Sequence, residues 1–187
     1  MSTSPTKSPA SNPPIIPDPN NDGKIIRRAF LIEATLNLFT LPLLTHPRLI
    51  LSHILLRPSS ITPSTILFAR FFAGIVVFGL TSSLLFGARN TRNGIESRRP
   101  TYLLLGLGEA AMLPVLGMEV AKRGGVDAAL SVRAAVVSMA MLAPGLVWRV
   151  YVCGWRTEWL GRYREVDGKG RGSGSGTKYG AIRTNED

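Results

Sequence analysis

The sequence predicts an all-α, polytopic membrane helix bundle of four transmembrane helices with disordered cytosolic tails. Three observations predict it. Apolar stretches of bilayer-spanning length recur through the middle of the chain. Both ends are polar and rich in Pro, Gly, Ser and Asn. Basic residues gather in the loops between the apolar stretches, more densely on one side than the other. Whole-chain averages conceal the pattern: hydrophobic residues make up 45% and the mean hydropathy is +0.16, because the polar ends dilute the middle.

Residues 1–24 have no apolar h-region, so they read as a disordered tail and not as a secretory signal peptide. Ser4–Pro5 and Ser8–Pro9 are candidate phosphate acceptors there. The bundle is expected over 25–153. Its first span, about 26–45, carries Glu33, Asn37 and Pro42. An apolar piece at about 47–57, bracketed by Arg48 and Arg57 and carrying His53, is too short to cross and is expected to lie as an interfacial helix. The second span, about 63–87, has Thr62 as its N-cap and Pro63 in the first turn, with Arg70 inside. The third, about 101–121, begins after Pro100 and holds Glu109, Pro114 and Glu119. A tight turn at Lys122–Gly125 leads to a fourth, about 127–152, capped by Asp127 and containing Arg133 and Pro144. Trp155, Trp159 and Tyr163 then recur every fourth residue, which predicts an amphipathic interfacial segment over 154–166. A Gly-rich linker opens the second disordered tail, 167–187. A three-span arrangement with the first segment lying flat is the alternative.

The net charge of +10 raises nucleic acid as a partner. The basic residues, however, flank apolar segments and form no basic helix interleaved with aromatics, so the lipid bilayer is the expected partner and nucleic acid is not. With the N-terminus in the cytosol, Arg and Lys divide roughly ten to four in favour of the cytosolic side. Both termini are therefore expected there. The expected address is the endoplasmic reticulum or another endomembrane, with the plasma membrane as alternative. Cys153 is alone, which excludes an intrachain disulfide and a Cys-based metal site. It reads as a free thiol, with palmitoylation as the alternative. No carboxylate stands at ligand spacing around His46 and His53, so neither a metal nor a cofactor is expected.

Ionisable residues inside spans carry the functional information, because each is costly in hydrocarbon. Helical rise puts Glu33 about 8–10 Å and Glu109 about 12 Å from the cytosolic end, with Asn37 one turn beyond Glu33. One reading makes Glu33 and Glu109 an acid–base pair, with Asn37 orienting a substrate. The other makes them packing groups that hydrogen-bond between helices. Arg70 and Arg133 lie about 9–10 Å below the opposite surface, near Glu119. Together these three are candidates for binding an anionic headgroup or substrate carboxylate, or for pairing structurally. The layout resembles sterol-isomerase-like and DoxX-like bundles, and Arg70-Phe-Phe-Ala-Gly74 is similar to the Arg-x-x-x-Gly opening of a DoxX-type span, here in span two. No function is carried over from that likeness. The first functional expectation is a protein that binds or processes a lipophilic small molecule, with isomerase, cyclase or hydratase chemistry on a lipid, terpenoid or polyketide. A non-catalytic scaffold or assembly subunit is the alternative, and a small transporter is third, since the chain is short for one and shows no convincing inverted repeat. Small-residue pairs such as Ala69/Ala73 allow close helix packing, which assembly of the bundle itself explains; a homo-oligomer is a further expected partner arrangement.

Overall fold

The computed structural model describes residues 15–18 and 21–165. Most of both expected tails, with Ser4 and Ser8, lies outside the described residues. What is described is helical apart from one short strand pair, and the chain runs back and forth between two ends of the bundle.

Helix α1 (Lys24–Asn37) buries Ile26, Phe30 and Ala34, a four-residue recurrence that makes one inward face. It tightens into a 3-10 turn at Leu38–Thr40 before α2 (Leu41–Thr45). Pro42 lacks the amide that would bond the Leu38 carbonyl, which is the local reason the α-helical ladder breaks there. Pro47 opens α3 (Pro47–Ile54), which is bent by 103° from the Lys24–Thr45 rod. Helices α4 (Pro63–Gly74) and α5 (Thr81–Gly87) are joined by a π-helical stretch, Ile75–Leu80, into one 25-residue rod. The Thr62 side chain caps it by accepting from Thr65 N at 3.2 Å. Within the rod, the Thr81 hydroxyl donates to the Val76 carbonyl at 3.0 Å, compensating the wider backbone turn. Helices α6 (Arg92–Ala121) and α7 (Val132–Trp155) follow.

Three helices are thus long and apolar enough to cross a membrane, and a fourth crossing exists if the bent pair α1–α3 counts as one. At 1.5 Å per residue the three rods measure about 36–45 Å, more than the roughly 30 Å of a hydrocarbon core.

Two helix starts differ from expectation. Helix α6 begins at Arg92, not after Pro100, because the Thr91 side chain accepts from Gly94 N at 3.2 Å and caps the helix a full two turns upstream. Helix α7 begins at Val132, not Asp127, capped by Ser131, whose hydroxyl accepts from Ala134 N at 3.2 Å. The expected amphipathic segment also differs. Helix α7 stops at Trp155, a 3-10 turn covers Thr157–Leu160, and Gly161 at φ 90° turns the chain into an extended stretch. There β2 (Tyr163–Glu165) pairs antiparallel with β1 (Ile15–Pro17). Part of what reads as N-terminal tail is therefore fastened to the segment after α7.

One end of the bundle is closed by Arg98, whose side chain is fully buried. Its Nε donates to the Gly87 carbonyl at 2.8 Å and its Nη1 to the Leu160 carbonyl at 2.6 Å. Longer bonds of 3.3 Å reach the carbonyls of Asp22 and Arg89. One guanidinium thus ties together the lead into α1, the α5–α6 turn and the segment after α7. Gly23 (φ 67°) and Gly161 (φ 90°) close around it, and a Cβ at either position would collide with Nη1. Above this knot sits the main core: Ile26, Phe30, Ala34, Leu84, Ala88, Tyr102, Val152 and Leu160. Phe30 meets Tyr102 edge-on at 4.8 Å, and Gly87 leaves room for the Phe30 ring.

The outer faces are apolar. Phe39 and Met141 are each 78% exposed, and Phe68, Phe71, Phe78, Leu104, Leu107 and Val147 are also exposed, whereas Arg98, Glu119 and Arg149 are buried. This inverts the usual distribution of a water-soluble domain.

Candidate functional site

The interior polar cluster is centred on Arg149 of α7. Its Nη2 donates to Glu33 Oε2 of α1 at 2.7 Å, and its Nη1 donates to Glu109 Oε1 of α6. The side chain is 7% exposed, against 20% for Glu33 and 14% for Glu109. Glycines make the geometry possible: a Cβ at Gly145 would lie 2.8 Å from both Arg149 Nη1 and Glu109 Oε1, and Gly106 faces the Arg149 stem. The guanidinium also stands 5.6 Å from the centroid of the Tyr102 ring, a cation–π contact, while Tyr102 Oη accepts from Trp148 Nε1 at 3.0 Å. Three helices therefore converge on one guanidinium.

Glu33 and Glu109 thus come together, as their matched depths predict, but not as two facing carboxylates. Arg149 stands between them and takes one oxygen from each. A cluster of two carboxylates and one guanidinium carries a formal excess of one negative charge when both acids are ionised. The cluster is also incompletely bonded. Glu109 Oε2 and Arg149 Nε are buried with no hydrogen-bond partner among the described residues, as is Asn37 Nδ2 one turn along α1 from Glu33, an arrangement costing about 1–3 kcal/mol per group.

The other expected grouping does not form. Glu119 is spoken for by its own loop: Oε1 pairs with Lys122 Nζ, and Oε2 accepts from Ala129 N at 2.8 Å and Leu130 N at 3.2 Å. It organises the α6–α7 connection, which joins the chain after α3 where Leu56 N donates to the Ala129 carbonyl at 3.0 Å and Ser131 N to the Ile54 carbonyl at 3.0 Å. Arg70 and Arg133 are both exposed on the outside of the bundle. Among the described residues no hydrogen bond or ion pair joins either to Glu119. No group of three or more His, Cys, Asp or Glu that could hold a metal occurs among the described residues. A shallow apolar depression lined by Leu31, Ile32, Thr35 and Leu36 lies on the face of α1 turned away from Glu33 and Asn37, and contains none of the cluster.

Arg149 is the residue that sequence reasoning misses. It sits five residues before Gly154 near the end of an apolar run and passes for an interfacial cation beside Trp148 and Tyr151. The available signal is the surplus of acid: two carboxylates at one depth call for a cation at the same depth, and in α7 that position is Arg149. Near it the aromatic cluster does form, with Trp148, Tyr151, Trp155 and Trp159 rings in a chain of contacts at 5.8–6.4 Å. No protein-family model, curated protein or solved structure matches the chain.

Proposed function

We propose that this is a four-pass membrane protein that binds the polar head of a lipophilic small molecule at the Glu33–Arg149–Glu109 cluster. The observation that carries the proposal is the inverted polarity: exposed apolar helix faces surround a buried charged cluster in which two polar atoms, Glu109 Oε2 and Arg149 Nε, lack partners. The exposed faces match a hydrocarbon surrounding. The charged cluster is expensive there, and such residues in membrane interiors mark ligand or ion sites by default. The joining of β1 to β2, and of the nearby Asp22 and Leu160 carbonyls to Arg98, puts the two ends of the described chain at one side of the bundle. The basic excess on that side favours the cytosol, and an endomembrane is the proposed address.

Binding is preferred to acid–base catalysis because Arg149 stands between the two carboxylates and takes an oxygen of each, so they do not face one another as a pair. The second reading, a non-catalytic scaffold, is favoured by the same fastening of the ends, since it presents both remaining tails from one point. The test is rescue of a null strain by Glu33→Gln and Glu109→Gln, with lipid and metabolite profiles read beside membrane abundance. A binding protein gives a mutant profile equal to the null at normal abundance. Full rescue by both variants, with loss on deletion of residues 166–187, moves the protein to the scaffold class.

A further inference from the structure

We infer that the outer face of α1 holds an anionic phospholipid of the leaflet at the Arg98 end, its phosphate on Lys24 and Arg28 and an acyl chain along Leu31, Ile32, Thr35 and Leu36. The inference rests on the membrane placement of the bundle and not on the charged cluster, whose α1 member, Glu33, lies on the face turned away. At 3.6 residues per turn the six residues named fall on one face of α1, opposite the inward face of Ile26, Phe30 and Ala34. All six are exposed. Leu31, Ile32, Thr35 and Leu36 line the shallow depression already described. Thr35 is smaller than the leucine and isoleucine side chains around it. Its hydroxyl donates to the Leu31 carbonyl at 2.9 Å, so the polar atom is satisfied within the helix and the lining offered to a chain is apolar.

The cations are in register with that depression. Arg28 stands one turn and Lys24 two turns nearer the Arg98 end on the same face. Among the described residues neither side chain has a hydrogen bond or an ion pair. The nearest acid in sequence, Asp22, is engaged by Arg27 Nη1 at 3.6 Å and by the Lys24 backbone amide at 2.9 Å. Arg27 itself is turned to the bundle, donating Nε to the Ala88 carbonyl at 2.9 Å. Helical side chains lean toward the N-terminus, which carries both charged heads away from the depression and toward the level of the lipid phosphates. From Arg28 to Leu36 is about 12 Å of helix, within the roughly 15 Å of one hydrocarbon leaflet. Apolar surface and positive charge thus follow one another in the order that a phospholipid presents chain and phosphate. A zwitterionic head brings its own cation beside the phosphate, so a net anionic head gains more from two further cations.

The experiment reconstitutes the full chain in nanodiscs of phosphatidylcholine with a minor share of phosphatidylglycerol. The protein is released into mild detergent and its retained lipids are counted by native mass spectrometry, beside the unfolding midpoint of each variant. Retained phosphatidylglycerol is expected to exceed its share of the membrane several-fold. Arg28→Gln should lower that enrichment about five-fold, and Arg28→Lys should keep most of it. Arg162→Gln removes a like charge from the same end but from the segment after α7, and should leave the enrichment in place. Thr35→Trp fills the depression at unchanged charge and should lower retention; Thr35→Leu takes its place if the bulkier ring lowers the midpoint. Equal losses in Arg28→Gln and Arg162→Gln overturn the site, because net charge alone would then attract the lipid. Retention untouched by a filled depression overturns it as well. Loss in Glu109→Gln but not in Arg28→Gln moves the lipid to the interior cluster, which overturns this inference and leaves the proposed function standing. Displacement by soluble glycerol phosphate marks a free-phosphate site and overturns the lipid assignment.

Discussion

Replacing Arg149 by methionine keeps the length of the side chain and removes the charge shared by Glu33 and Glu109. Truncating one partner of a buried pair costs about 3–5 kcal/mol, chiefly because the other charge is left uncompensated. Two carboxylates are abandoned here, but their side chains are 20% and 14% exposed, so some solvent or lipid-head relief is available. The expected total is therefore about 3–5 kcal/mol and not twice that. For a chain of this size 1 kcal/mol moves the midpoint by about 2–4 °C, giving a fall of roughly 6–20 °C. The assay is thermal unfolding in detergent, followed by tryptophan fluorescence, which Trp148 beside the cluster makes sensitive. The triple variant Arg149→Met, Glu33→Gln, Glu109→Gln removes every charge and is expected to recover most of the loss, since an apolar or neutral replacement of a buried pair is often neutral or better. A fall under about 2 °C for Arg149→Met, or no recovery in the triple variant, refutes the reasoning, because the cost would then lie in packing and not in stranded charge.

Three further outcomes are expected. Arg98→Lys keeps the charge but offers one ammonium to four carbonyls held by a planar fork, so limited proteolysis should cut within 15–23 and 156–165 sooner; Gly161→Ala, strained at φ 90° and pressed on Arg98, should do the same at a cost above about 1 kcal/mol. Unchanged protection in both variants would remove Arg98 as the knot of that end. Glu119→Gln weakens the pairing with Lys122 and the amide bonds, so hydrogen exchange at Ala129 and Leu130 should accelerate while α1 stays protected. In a Cys153→Ser background, exposed Asn90→Cys and Asp127→Cys should react with an impermeant thiol reagent from opposite sides of a sealed vesicle; labelling from the same side would disprove four-pass topology.

The helix content, the three long apolar rods and the caps at Thr62 and the Lys122–Gly125 turn are legible in the sequence, because hydropathy and local capping act within a few residues. Helical rise also leads to the expectation that Glu33, Asn37 and Glu109 lie at similar depth, and of these Glu33 and Glu109 meet on the same guanidinium. Where two local signals compete, tertiary structure decides. Pro100 suggests a helix start, yet Arg98 has to sit on a helix to reach the carbonyls of Gly87 and Leu160, and α6 begins at Arg92. The four-residue spacing of Trp155, Trp159 and Tyr163 suggests a continuing helix, yet Gly161 and the pairing with Ile15–Pro17 turn the chain away. The identity of the cluster's third member belongs to the same class. Glu33 and Arg149 are 116 residues apart, and Glu109 and Arg149 are 40 apart. No local rule links such positions; the packing of α1, α6 and α7 does, because a charge inside an apolar bundle is tolerated only where another helix brings its counter-charge.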